Sequence, residues 1–183
     1  MTGDITVISG PTAVGKGTVV SELRRRAPEV WVSVSVTTRA PRPGEIDGVH
    51  YLFITDDEFD QLIATDGLLE WAIVHGRDRY GTPAAPVWEA VKADRAVILE
   101  IDLQGARQVK ANLPEAHLVF LAPPNWEELV RRLRGRGTED AEAQARRLET
   151  ARHELEARQE ADVVVVNDDV DRTVSSLIDL MGL

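Results

Sequence analysis

The chain is predicted to be an α/β protein: a parallel sheet covered by helices on both faces, with a smaller lobe inserted into it. Three observations carry that prediction. Short β-branched apolar runs recur along the chain with helical stretches between them, the alternation a parallel sheet requires. One of these runs ends in a glycine-rich loop that opens a helix, which is how a βαβ unit begins. Two segments then break the rhythm, and each reads as an addition to the core.

The elements follow in order. Residues 4–9 form an apolar run ending at Gly10, as expected of a buried parallel strand. Residues 18–26 carry Val19, Val20 and Leu23 and read as a helix stopped by Pro28. From Trp31 to about Pro83 the pieces shorten and form the inserted lobe: an extended stretch at 31–36, the turn-rich Arg39-Ala-Pro-Arg-Pro-Gly44, a short strand at 51–53, a helix over Asp56–Ala64 and an extended Leu68–Val74. Buried-strand runs return at 97–101, 117–121 and Val163–Val166. Before the last of these, residues 131–147 are dense in Arg and Gly around Arg134-Gly-Arg-Gly137, and a helix is expected from 139 to about 160. The glycines fit either a capped helix end with exposed charges or the hinge of a closing lid.

Composition narrows the function. The 183 residues are 43% hydrophobic and 28% charged, an ordinary balance for one globular domain. Lys and Arg number 21 against 31 Asp and Glu, a net charge of −10, which argues against a general binder of nucleic-acid polymers or anionic membranes. There is no Cys, so disulfides, thiolate metal sites and cysteine nucleophiles are excluded. The first residues carry neither a leader nor a membrane span, so a cytoplasmic location without membrane or obligate protein partners is expected. His50, His75, His117 and His153 have no metal-ligand spacing, and Trp31, Trp71, Trp88 and Trp126 are expected to fill the core and lobe junctions. Glu142, Arg146 and Glu149 are helical neighbours and read as a salt-laced exposed face.

Gly10-Pro11-Thr12-Ala13-Val14-Gly15-Lys16 lies between strand and helix, the context of a phosphate loop. Glycines let successive backbone N–H groups curl around phosphate oxygens at a helix N-terminus, and Lys16 supplies a point charge. The strict pattern puts Ser or Thr directly after the Lys; here Gly17 stands there and Thr18 follows. Either Thr18 contacts phosphate or a metal is held largely through water. A second candidate anion site is the stretch from Ser33 to Tyr51, with Arg39 and Arg42 on a proline-stiffened loop. By composition alone it is a solvated basic turn; as a pair of planar donor forks it suits a phosphate. Glu70 is either the polar face of a strand or a buried acceptor. Glu100 and Asp102 point to one side of a strand at its C-terminal end, where parallel-sheet ligands bind, or simply form a solvated terminus.

These segments occur in one order over nearly the whole chain: the phosphate loop, Thr38-Arg39-Ala-Pro-Arg42-Pro-Gly44-Glu45, Tyr80-Gly81-Thr82, Glu100-Ile-Asp102-Leu-Gln-Gly105, Arg132-Leu-Arg-Gly-Arg136-Gly and Asn167-Asp-Asp169. Together they resemble the bacterial guanylate kinases. The resemblance implies a P-loop kinase core (about 1–32, 84–124 and 148–183), a mixed α/β lobe for the acceptor monophosphate (about 33–83) and a helical lid (about 125–147). It implies the reaction ATP + GMP → ADP + GDP with Mg²⁺, and dGMP as a second acceptor. Ser35, Arg39, Arg42, Tyr51 and Tyr80 are implied at the GMP phosphate, with Glu45 in the same loop; Glu70, Thr82 and Asp102 are implied at guanine. Lys16, Arg136 and Arg147, with Arg39 counted among them, are the implied catalytic cations. Arg132 stands beside them, Asn167 near the adenine of ATP, and Thr18, Glu100 and Asp102 are candidates for Mg²⁺ held through water. Two departures accompany Gly17: charge at Arg77-Asp-Arg79 ahead of Tyr80, and Glu100 where many relatives have Asp.

The residue types suit that chemistry. Guanine presents two donors on its pairing edge, which an ionised carboxylate such as Glu70 satisfies and which adenine cannot offer. A Thr82 or Ser35 hydroxyl can donate to O6. The transfer needs no protein nucleophile and no dedicated base, only alignment and positive charge. Two other activities fit the same core. A phosphopeptide-binding module without catalysis is disfavoured by Lys16, Arg136 and Arg147, and a ribose bisphosphate kinase by Glu70, Tyr80, Thr82 and the double-Arg loop.

Overall fold

A computed structural model describes residues 5–74, 78–135 and 141–183. Strand β1 (Ile5–Ser9) is buried along its whole length and runs into the glycine loop. Helix α1 (Lys16–Arg26) buries Val19, Val20 and Leu23 and ends on Arg24, Arg25 and Arg26, whose charges complement the helix C-terminus. It begins two residues ahead of Thr18 because Gly15, at φ 99°, turns the loop directly into the helix.

The stretch 31–36, expected as one extended run, is split. β2 (Trp31–Val32) and β3 (Val36–Thr37) belong to different sheets, and residues 33–35 cross between them. After β4 (Leu52–Phe53), helix α2 (Asp56–Ala64) starts in a capping box, the Thr55 and Glu58 side chains each bonding the other's backbone N–H. β5 (Leu68–Val74) and β6 (Asp78–Pro83) then pair antiparallel. The chain returns through α3 (Ala84–Lys92) to β7 (Val97–Glu100), α4 (Leu103–Asn112) and β8 (His117–Ala122). It closes with α5 (Trp126–Arg134), α6 (Ala141–Glu156), a 3₁₀ turn at Ala157–Glu160, β9 (Val163–Val166) and α7 (Val170–Met181). The helix expected over 139–160 thus gives way to the tighter turn in its last four residues, and its first two lie outside the described residues.

Five strands form an all-parallel sheet in the order β2-β7-β1-β8-β9. Its two faces bury separate apolar layers, because successive strand side chains alternate. Ile8 packs with Val19, Leu23, Leu129 and Leu177 on one face. Val7 packs with Val87, Leu99 and Val109 on the other. β9 is an edge strand, so Val164 and Val166, expected to be buried, are 45% and 49% exposed. Trp71 and Trp88 likewise lie at the surface, each 36% exposed, and do not fill the core. A second, mixed sheet has the order β4-β3-β6-β5, with β3 and β4 parallel and the other pairs antiparallel. Chain order in the large sheet reverses across β1, and ligands of such sheets bind at that crevice, beyond the strand C-termini. No helix among the described residues is long and apolar enough to cross a membrane.

Candidate active site

The glycine loop sits at that crevice. Gly10 has φ 148°, and a Cβ there would collide with the Leu121 carbonyl oxygen, so only glycine lets the loop lie against β8. Val14 is fully buried and anchors the loop in the core. Its carbonyl accepts from Asn167 Nδ2 at 2.8 Å and from Arg132 Nη1 at 3.0 Å. Asn167 is itself buried, its Oδ1 accepting from Thr173 Oγ1 at 3.1 Å. Arg132 also reaches the Asn167 carbonyl at 3.1 Å and Glu128 at 2.8 Å. Both residues, expected near the donor nucleotide, therefore brace the loop from behind. Lys16 Nζ donates to the Gly10 carbonyl at 2.7 Å, and the Thr12 N–H donates to Glu154 Oε2 on α6 at 2.9 Å. Pro11 is buried, Ala13 adopts φ 64°, and Gly17 and Thr18 are exposed at the start of α1.

Thr12 and Lys16 line a cavity of about 610 Å³. Ser35, Tyr51 and Tyr80 reach it from the small-sheet region, together with Glu70. Glu100 and Asp102 reach it from the end of β7 and the start of α4. The strand stops at Glu100; Asp102 is the N-cap of α4, its Oδ1 accepting from Gly105 N at 2.8 Å. Glu70 is 5% exposed and accepts from Thr82 Oγ1 at 2.6 Å, so the single Thr82 hydrogen is engaged there. A Cβ on Gly105 would strike the Glu70 carboxylate; the missing side chain is what admits it.

Burial pushes the Glu70 carboxyl up to about 7, with Asp102 adding to the shift and the Thr82 bond opposing it. Glu100 is raised by burial and lowered by the Lys16 charge. Glu154 is raised by burial, against the Thr12 N–H and Lys16. The cavity thus holds one buried and two half-buried carboxyls that lack full hydration, with the lysine of the loop among them.

Arg39 is locked beside this cavity. Its Nη atoms grip both oxygens of Glu45 at 2.9 and 3.0 Å, its Nε donates to the Tyr80 hydroxyl at 2.9 Å, and it lies 5.4 Å from the Tyr51 ring centre. Glu45 also accepts from Arg42 N at 2.7 Å, so its carboxylate ties the Arg39 side chain to the backbone of the same loop. The Arg42 side chain is exposed and is not among the cavity-lining residues. Arg79 is bound at the surface to Asp56 at 2.7 Å and to Asp60, which absorbs the charge ahead of Tyr80. Arg147 is half-buried on α6. Arg136, Gly137, His75, Arg77 and the Glu142 side chain lie outside the described residues. His50, His117 and His153 are exposed.

Sequence reasoning missed Glu154, Thr150 and Arg107, which also line the cavity. A signal existed for the first: Glu154 lies seven residues after Arg147, two helical turns along one face.

A parallel sheet of this strand order, a glycine loop with its lysine at the switch point, and a second sheet offering a buried acid to the same cavity define a P-loop kinase of the nucleoside monophosphate class. The guanylate kinase family model matches residues 2–182, and the chain belongs to that family. It is 63% identical to the guanylate kinase of Thermobifida fusca over 97% of this chain and 90% of that one. It is 60% identical to the guanylate kinase of Cutibacterium acnes over 100% of this chain and 92% of that one. The crystal structure of guanylate kinase from Anaplasma phagocytophilum matches with a TM-score of 0.82 at 31% identity, covering 99% of this chain and 85% of that one.

Proposed function

We propose that the protein transfers the γ-phosphoryl group of ATP to the phosphate of GMP, accepts dGMP in its place, and works with Mg²⁺ in the cytoplasm. The observation that carries the reading is Glu70: a buried carboxyl, oriented by Thr82 and admitted by Gly105, in the cavity that also holds Lys16. Guanine's N1–H and amino group donate to Glu70, and Asp102 takes the remaining amino hydrogen. Ser35 donates to O6, since the Thr82 hydrogen serves Glu70. Tyr51, Tyr80, Arg39 and Arg42 hold the acceptor phosphate, on a lobe spanning about 33–83. The loop 10–18 cradles the ATP phosphates, and Lys16, Arg147 and Arg136 neutralise charge spreading over the transferred group, the last two from a lid at about 125–147.

A phosphate oxygen of GMP attacks the γ-phosphorus in line, the bond to the β-γ bridging oxygen breaks, and ADP leaves. The donor set fits Mg²⁺: Glu100 Oε1 stands 3.6 Å from where a Cβ on Gly17 would be, placing a hard oxygen where the strict pattern has a hydroxyl. Glu100 and Asp102 at the cavity, with Thr18 exposed at the start of α1, are the residues that would hold the ion through water, and it would supply charge neutralisation on the phosphates.

The test is a coupled ADP-release assay with ATP and Mg²⁺, offering GMP, dGMP, AMP, UMP and ribose 1,5-bisphosphate. Turnover with GMP and dGMP alone is expected. Equal turnover with AMP removes the base-reading assignment, and none with any acceptor removes the activity.

A further inference from the structure

β5 is the outer strand of the small sheet, so one side of its backbone has no neighbouring strand. The Gln108 side chain of α4 fills that side at one residue. Trp71 N–H donates to Gln108 Oε1 at 3.2 Å, and Gln108 Nε2 donates to the Trp71 carbonyl at 2.7 Å. The same Nε2 lies 3.4 Å from the Gln104 carbonyl on its own helix. A primary amide used in this way does what a neighbouring strand does, accepting from an N–H and donating to the adjacent C=O. Among the described residues these are the hydrogen bonds that join β5 to α4.

The position of this grip matters because Glu70 is the residue before Trp71. Along α4, Asp102, Gly105 and Gln108 are spaced by three and share one side of the helix. The first supplies a carboxylate to the cavity, the second leaves room for Glu70, and the third holds the backbone that carries Glu70. Glu70 lies on β5 and Asp102 at the N-terminus of α4, and their charges repel, so nothing in their own interaction sets their spacing.

We infer that Gln108 is a positioning residue for the acceptor base, its amide fixing β5 on α4 so that Glu70 and Asp102 face guanine at one set distance. The inference rests on the reading of those two carboxylates as base readers. Gln108 does not touch substrate. It acts through Trp71 and Glu70.

Gln108→Met keeps length and volume but removes both donor and acceptor. Gln108→Glu keeps the acceptor for Trp71 N–H and sets a carboxylate against the Trp71 carbonyl. In both, KM for GMP is expected to rise about tenfold, the order lost with two ordinary hydrogen bonds. The value of kcat and KM for ATP are expected to stay within about twofold, and amide exchange at Trp71 to accelerate by a similar factor. Glu70→Gln is measured alongside. If it loses its preference for GMP over AMP while both Gln108 variants keep a normal KM for GMP, the positioning role is overturned. If KM for GMP, KM for ATP and Tm all shift together, Gln108 is a general structural prop and the inference fails. If Glu70→Gln keeps the preference, it is the base reading that falls.

Discussion

The glycine loop and the wall around Glu70 shape one cavity by different means. The loop offers backbone N–H groups, and its stiffness comes from behind, where Asn167 and Arg132 hold the Val14 carbonyl. The Glu70 wall offers side chains drawn from the small sheet and from α4, and its stiffness comes from a hydroxyl, a missing Cβ and a side-chain amide. A site made of backbone is encoded within a few consecutive residues. A site made at a seam depends on partners tens of residues apart, and each partner there is a point of failure.

The comparison can be broken in four places. Lys16→Ala removes the loop's lysine; kcat is expected to fall by about a thousandfold or more with KM for GMP little changed, in steady-state assays. Glu70→Gln is next, with the GMP-over-AMP ratio of kcat/KM falling about a hundredfold. The same change should stabilise the protein. The folded carboxyl titrates near 7 against an ordinary 4.5, so the folded state holds its proton more tightly and stability falls as pH rises between those values. Removing that group relieves up to about 3 kcal/mol at neutral pH, a rise in Tm of several degrees by calorimetry. A loss of both selectivity and stability would place Glu70 in the framework instead.

Third, Gly105→Ala should raise KM for GMP about tenfold or more by displacing the Glu70 carboxylate, with KM for ATP unchanged, as an overpacked seam requires. The smallest effect belongs to the brace. Asn167→Ala leaves the Val14 carbonyl with Arg132 alone, costs about 1–3 kcal/mol by thermal unfolding, and raises KM for ATP severalfold while sparing GMP. A larger effect on GMP than on ATP would mean that the two walls are not independent.

What could be read from the sequence follows the same division. β1 and the loop were legible because strand, glycines and lysine are contiguous, and the parallel sheet because its apolar runs recur. The split of 31–36 was not: Trp31 and Val36 are equally apolar, and only pairing to different sheets separates them. At Glu70 the residues alone left strand face and buried acceptor open, since Thr82 and Gly105 meet it only in three dimensions. Glu45 was read with the substrate binders because it sits in the arginine loop; its contacts make it the partner of Arg39. The exposure of Trp71 and Val164 reflects edge strands, and no local pattern says which strand lies at an edge.

Arg39 carries its own counter-ion, and this has a thermodynamic consequence. A guanidinium has five N–H donors, and four are already used on Tyr80, Ala40 and the two oxygens of Glu45. An unrestrained arginine surrenders up to ~2 kcal/mol of rotamer entropy when it grips a ligand. Here that freedom is given up when the chain folds, so the orientation of the side chain is already settled for the anion it is proposed to hold. In a protein of net charge −10, the acidic surplus is put to use at this loop as scaffolding for a cation.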